Sequence, residues 1–166
     1  QSEREPQLSS KAISVKRAVV LDAGPLGMVT HRGGVPEVDA CKQWLLALAE
    51  RGIRIGVPEI ADFEVRRELL RAGKMRGIER LDALLETFEY LPLSTAVMRD
   101  AASLWADVRR RGQPTADAKA LDADVILAAQ ARRMTAAEVV VATTNVRHLS
   151  RLVDAKLWQD VAADSG

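Results

Sequence analysis

RAVVLDAGPLG (17–27) begins with a short, unbroken aliphatic run that stops on an acid and then on Gly24, Pro25 and Gly27. A run that is apolar at every position, not at every second one, suits a strand buried on both faces of a parallel sheet. Asp22 would then stand at the carboxyl edge of that sheet, where open α/β folds bind their ligands. The glycines and the proline are expected to form a turn that takes the chain sharply off the strand.

Working outward, EVDACKQWLLALAERG (37–52) reads as an amphipathic helix closed by glycine, and RIGVP (54–58) as a second strand. EIADFEVRRELLRAG (59–73) predicts a helix with Ile60, Phe63, Leu69 and Leu70 on its inward face. A helix over 76–88, a short strand over 90–94 and a long helix over 95–112 follow, the last burying Val97, Ala101, Leu104, Trp105 and Val108. Beyond a polar connection at 113–120, LDADVILAAQARRM (121–134) predicts a helix with acids in its first turn, and EVVVATT (138–144) a further strand. Strands alternating with helices imply an α/β class, with a central parallel sheet of about four to five strands and helices on both faces.

The 166 residues fit one domain, expected over 17–166, with the polar stretch 1–16 as an N-terminal extension. Hydrophobic residues make up 48% of the chain and aromatic residues 4%, so the core is expected to be aliphatic. Lys and Arg number 24 against 23 Asp and Glu; a net charge of +1 excludes a broadly basic nucleic-acid grip and leaves only a local one. The single Cys41 rules out an internal disulfide and, with no Cys/His cluster, makes a zinc site untenable. No stretch approaches the ~20 apolar residues of a membrane span, so a soluble, cytoplasmic protein is expected.

The acids carry the chemistry. Asp22 ends the first strand, Glu64 lies on the helix after the second, Asp124 precedes the strand 138–144, and Asn145 follows it. Convergence of these oxygen-bearing side chains on one sheet edge would suit Mg²⁺ or Mn²⁺, which prefer oxygen ligands. Such an ion favours phosphodiester hydrolysis by lowering the pKa of a water and offsetting phosphate charge. Each acid also has an ordinary explanation: Asp22 as a turn or N-cap residue, Glu64 as a solvated position beside Arg67 and Glu68, and Asp122 or Asp124 as a helix cap.

Four segments, VVLDAGPLG (19–27), FEVRREL (63–69), LDADVILAAQA (121–131) and VATTNVRHL (141–149), match in order and approximate spacing the motifs of PIN domains. The chain therefore resembles that family, which includes the VapC toxins of bacterial toxin–antitoxin pairs. The resemblance implies a metal-dependent endoribonuclease with Asp22, Glu64 and Asp124 as metal ligands and Asn145 where the family usually has a fourth acid. Asp122 becomes an accessory neighbour, and Thr143 a residue that helps orient a ligand or water. Asn145 keeps an oxygen ligand but removes one negative charge, which weakens a second metal position. Ala23 and Gly24 also depart from the small polar residues that often follow the first Asp.

The same resemblance implies RNA as substrate, an antitoxin protein as partner, and a homodimer. Arg66, Arg67, Arg71 and Lys74, with Arg76 and Arg80 beyond them, would form a rim steering the phosphate backbone toward the acids; the alternative is a solvated helix face paired with its own glutamates. A second functional reading is a non-catalytic or weakly catalytic PIN-fold module for RNA binding or protein interaction. A phosphatase using Asp22 as nucleophile lacks the Asp-x-Asp pattern, since Gly24 holds the second place.

Overall fold

The structure is a computed structural model that describes residues 17–112 and 117–163, so the extension 1–16 and part of the connection 113–120 lie outside the described residues. Its strands are β1 (Arg17–Leu21), β2 (Arg54–Pro58), β3 (Glu89–Leu91), β4 (Glu138–Thr143) and β5 (Ala155–Leu157). They form one sheet in the order β3-β2-β1-β4-β5, with every pairing parallel. The helices are α1 (Ala23–Thr30), α2 (Pro36–Glu50), α3 (Glu59–Arg71), α4 (Met75–Thr87), α5 (Thr95–Arg110) and α6 (Ala118–Ala131).

Ala18, Val19, Val20 and Leu21 are all fully buried, so side chains of both parities are covered and β1 has no solvent face. That is why the segment is apolar throughout. From β1 the sheet grows one way through β2 and β3 and the other way through β4 and β5. The order therefore reverses between β1 and β4, and a crevice opens at their carboxyl ends. Arg17 to Leu21 pair in step with Glu138 to Ala142, and Asp22 N–H extends the ladder to Ala142 O at 3.0 Å.

One apolar cluster spans the sheet with Leu26, Leu48, Val65 and Leu127 from the surrounding helices. A second joins α5 to α6 through Val97, Ala101, Leu104 and Val108 against Leu121, Val125 and Ala128. No described helix is long and apolar enough to cross a membrane.

Several elements differ from expectation for definite reasons. The turn expected at Gly24-Pro25-Leu26-Gly27 is the first part of α1. Asp22 caps this helix, and Pro25 sits in its first turn, where a missing N–H costs no intrahelical bond. Gly24 is there for space: a Cβ would lie 2.5 Å from Thr144 Oγ1 and 3.1 Å from Thr144 Cβ. Rotating Thr144 would not relieve the second contact.

On α3 the buried residues are Ala61, Asp62 and Val65, whereas Phe63 and Leu70, expected inward, are 55% and 54% exposed. Arg67 stacks over the outward Phe63 ring at 5.2 Å. Trp105, also expected inside, is exposed beneath Arg109, while Trp44 and Trp158 pack together at 5.7 Å. Helix α6 starts at Ala118 with Asp117 as its cap, which places Asp122 and Asp124 inside the helix and removes the capping explanation for both. Strand β5, only three residues long at the sheet edge, was not foreseen.

Gln130, 1% exposed on α6, braces this framework. Its Oε1 accepts from Ile60 N at 3.2 Å in the first turn of α3, and its Nε2 donates to Leu91 O at 2.6 Å at the end of β3. One amide thus ties the helix of Asp124 to the helix of Glu64. Gln130→Leu leaves two partly buried backbone groups, Ile60 N and Leu91 O, without this partner, at a combined cost of about 1–3 kcal/mol. Urea unfolding should show a lower midpoint with an unchanged m-value; an unchanged midpoint would remove Gln130 as the brace.

Candidate metal-binding active site

Asp22 is held at both oxygens. Oδ1 accepts from Ala23 N at 2.8 Å and Oδ2 from Thr143 Oγ1 at 2.7 Å. Thr143, 1% exposed at the end of β4, in turn accepts from Asn145 N at 3.1 Å. This chain runs across the switch point between β1 and β4 and fixes the Asp22 carboxylate while leaving further lone pairs on each oxygen. Thr143 thus touches the Asp22 carboxylate directly.

Glu64 reaches the same region from α3 and Asp124 from α6, both half-buried. Neither carboxylate accepts a hydrogen bond from any described residue. Burial pushes the Glu64 carboxyl above its usual range, the Asp22 charge pushes it further, and Arg67 partly offsets the rise. Burial likewise raises Asp124, to about 6, followed by the charges of Asp22 and Glu64, against a lowering by Arg151. The three acids therefore share one electrostatic field, although they come from a strand end and two different helices.

They do not form a closed cage. Among the described residues no group of three or more His, Cys, Asp and Glu is close enough to hold an ion as it stands. The donor set nevertheless fits a hard divalent cation: only oxygens, two of the three carboxylates without hydrogen-bond donors, and mutual repulsion that a cation would relieve. Cys41 takes no part, since burial and then Glu37 push its thiol up to about 12.

Asn145 and Asp122 are less engaged. Asn145 is exposed, and its Oδ1 accepts from Arg147 N at 3.1 Å in a local turn. Asp122 is exposed on α6 and borders a different depression, with Met98, Trp105 and Ile126. Of the basic residues, Arg67, Arg71 and Lys74 line an open groove of about 500 Å³ together with Ala23, Gly24 and Glu64. Arg66 serves elsewhere: it bonds Asp62 at 3.0 Å and Asp82 at 2.7 Å, joining α3 to α4. Buried Asp62 also accepts from Tyr90 Oη at 2.9 Å, which completes this clasp. Gln130 and Arg151 are the residues that reading the sequence missed. A glutamine in an apolar helix face is the only hint of the first, and nothing local marks the second.

Because the folded protein holds the Asp124 proton more tightly than an unfolded chain does, its contribution to stability is complete at acid pH and is lost as pH rises through the folded value of about 6. Glu64 acts with the same sign. In metal-free buffer, wild-type stability should therefore fall between about pH 4 and pH 6, and Asp124→Asn should flatten part of that fall. Parallel slopes for the two proteins in pH-dependent urea unfolding would contradict the shared field.

No protein-family model matches the sequence, and no curated protein sequence matches it. Solved structures do. A chain of VapBC2 from Rickettsia felis bound to a DNA fragment from their promoter aligns with a TM-score of 0.62 and 16% identity, covering 85% of this chain and 98% of that one. A chain of DNA-bound VapBC from Salmonella typhimurium aligns at 0.59 and 18%, covering 86% and 98%. A chain of VapBC-1 from nontypeable Haemophilus influenzae aligns at 0.55 and 16%, covering 86% and 99%. With the five-stranded parallel sheet and the order of its helices, these likenesses show that the chain has the PIN-like α/β fold.

Proposed function

We propose that the protein is a divalent-metal-dependent endoribonuclease, cytoplasmic, and the toxin of a toxin–antitoxin pair. The observation that carries this reading is the meeting of Asp22, Glu64 and Asp124 in one field beside the switch point of the sheet. Asp22, Glu64 and Asp124 would hold Mg²⁺ or Mn²⁺, with Asn145 assisting. When bound, the ion supplies Lewis acidity that lowers the pKa of a water and offsets charge on the phosphate. Thr143 keeps Asp22 in one orientation through its 2.7 Å hydrogen bond. Arg67 and Lys74 bind phosphate at the groove beside Glu64. An antitoxin partner and a homodimer belong to the same reading, supported by the fold shared with VapBC structures.

A second reading, a PIN-fold module that binds RNA or protein with little or no catalysis, is favoured by the lack of a ready cage among the described residues. Calorimetry with Mn²⁺ separates the two. The nuclease reading expects Mn²⁺ binding that Asp22→Asn abolishes together with RNA cleavage. If the wild type binds no Mn²⁺ and Asp22→Asn leaves any cleavage unchanged, the second reading stands. Within the nuclease reading, Thr143→Val should weaken Mn²⁺ binding about 10–100-fold, as loss of an orienting partner does, and Thr143→Ser should restore it. Equal affinity for all three proteins would remove the orienting role.

A further inference from the structure

The groove beside Glu64 does not end at Lys74. It runs on into a second, larger one of about 820 Å³, and Gly27, Thr30, Leu69 and Lys74 line both. The continuation lies between the end of α1 and the junction of α3 with α4, and its walls carry His31, Arg32, Lys74, Arg76 and Arg80. Among the described residues no Asp or Glu lines it.

The cations on this side of the molecule fall into two sets. Arg66 is tied to Asp62 and Asp82, Arg71 to Glu68 at 2.8 Å, and Arg80 to Thr30 O at 2.6 Å. Arg80 thereby pins α4 to the end of α1 and fixes the separation of the groove walls. Arg32, Lys74 and Arg76 are exposed, and their side chains make no hydrogen bond or ion pair with any described residue. In a chain whose net charge is only +1, three cations without a described ion-pair partner around one concave surface make a local positive field that attracts anions. Exposed Gly73 lines it as well, and a Cβ built there would meet nothing within 4 Å.

We propose that this continuation is a polyanion subsite that takes the phosphodiester backbone of the RNA strand where it leaves the acids, with Arg32, Lys74 and Arg76 each pairing with a phosphate. This rests on RNA being the strand presented to Asp22, Glu64 and Asp124. Among the described residues the lining contains no Phe, Tyr or Trp, and its one ring, His31, accepts from Gly33 N at 3.1 Å, so contacts to the backbone outweigh stacking on bases. Extended chain on this side adds affinity, and base selection falls to other surfaces.

The test uses the full chain carrying Asp22→Asn, so that RNA stays intact, in EDTA, so that metal plays no part. Fluorescence anisotropy of a labelled uridine oligonucleotide is followed from about 50 to 200 mM KCl. Neutralising three phosphate contacts to a single strand should reduce the slope of log affinity against log salt by about 2. The variant R32Q/K74Q/R76Q should show that loss, and R99Q/K119Q/K156Q, which removes the same charge outside both grooves, should not. All six side chains are exposed, and matched thermal unfolding confirms that both variants fold. Equal slopes in the two variants overturn the subsite. So does a result in which the groove substitutions weaken polyglutamate binding and leave RNA binding untouched, which would make this a site for an acidic protein tail. A lost slope in a protein that neither binds Mn²⁺ nor cleaves RNA upholds the subsite and sinks only the nuclease reading.

Discussion

Thr143 Oγ1 meets Asp22 Oδ2 at 2.7 Å only because β1 and β4 run parallel in one register, from Arg17 opposite Glu138 to Leu21 opposite Ala142. A slip of one residue would turn Thr143 to the other face of the sheet and bring Ala142 or Thr144 to Asp22. The register is fixed by burial on both faces, since Val19, Val20, Val140 and Val141 have no solvent side to move to. Core packing and the first element of the site are thus one constraint. What holds the sheet together also aims the carboxylate.

The other two acids depend on that constraint at one remove. Glu64 is carried by α3, whose first turn is bound to Gln130, and Gln130 lies on the helix that carries Asp124. The spacing of the two helices is therefore set by a buried amide with both ends used, and not by apolar contact alone. Apolar packing tolerates small slides, while a hydrogen bond lost in the interior is penalised heavily. A site made from distant elements needs the second kind of control.

How far this could be read from sequence follows from how local each cause is. RIGVP (54–58) and RAVVL (17–21) are legible because burial on both faces leaves a mark at every residue. The glycine and proline after Asp22 signal a turn by propensity, but the close approach of Thr144 decides otherwise, and that residue is far away in the chain. Phe63 is apolar and was assigned inward on that ground; the inward place is taken by Asp62, which is satisfied by Tyr90 and Arg66 from other elements. Polar residues at buried positions are legible only when their partners are known. The same holds for Gln130. For the acids, order along the chain was enough to single out Asp22, Glu64 and Asp124, whereas the field they share is a property of the fold.

Placing three carboxylates together works against stability, because burial and mutual repulsion both disfavour the charged forms of Glu64 and Asp124. A fold can sustain this when the surrounding core is large and aliphatic, as here, where the buried strands and Leu26, Leu48 and Leu81 bear the load. The distribution of charge extends the argument beyond the acids. Arg66 and Arg71 are neutralised by neighbouring carboxylates, Arg66 serving as a strut between α3 and α4, while the side chains of Arg32, Lys74 and Arg76 have no partner among the described residues. Ion pairs with nearby glutamates would be readily available on such helices. Unpaired cations that line a groove continuous with repelling carboxylates indicate that opposite charges are kept apart along one surface, an arrangement suited to an extended polyanion that meets the cations along its length and the acids at one bond.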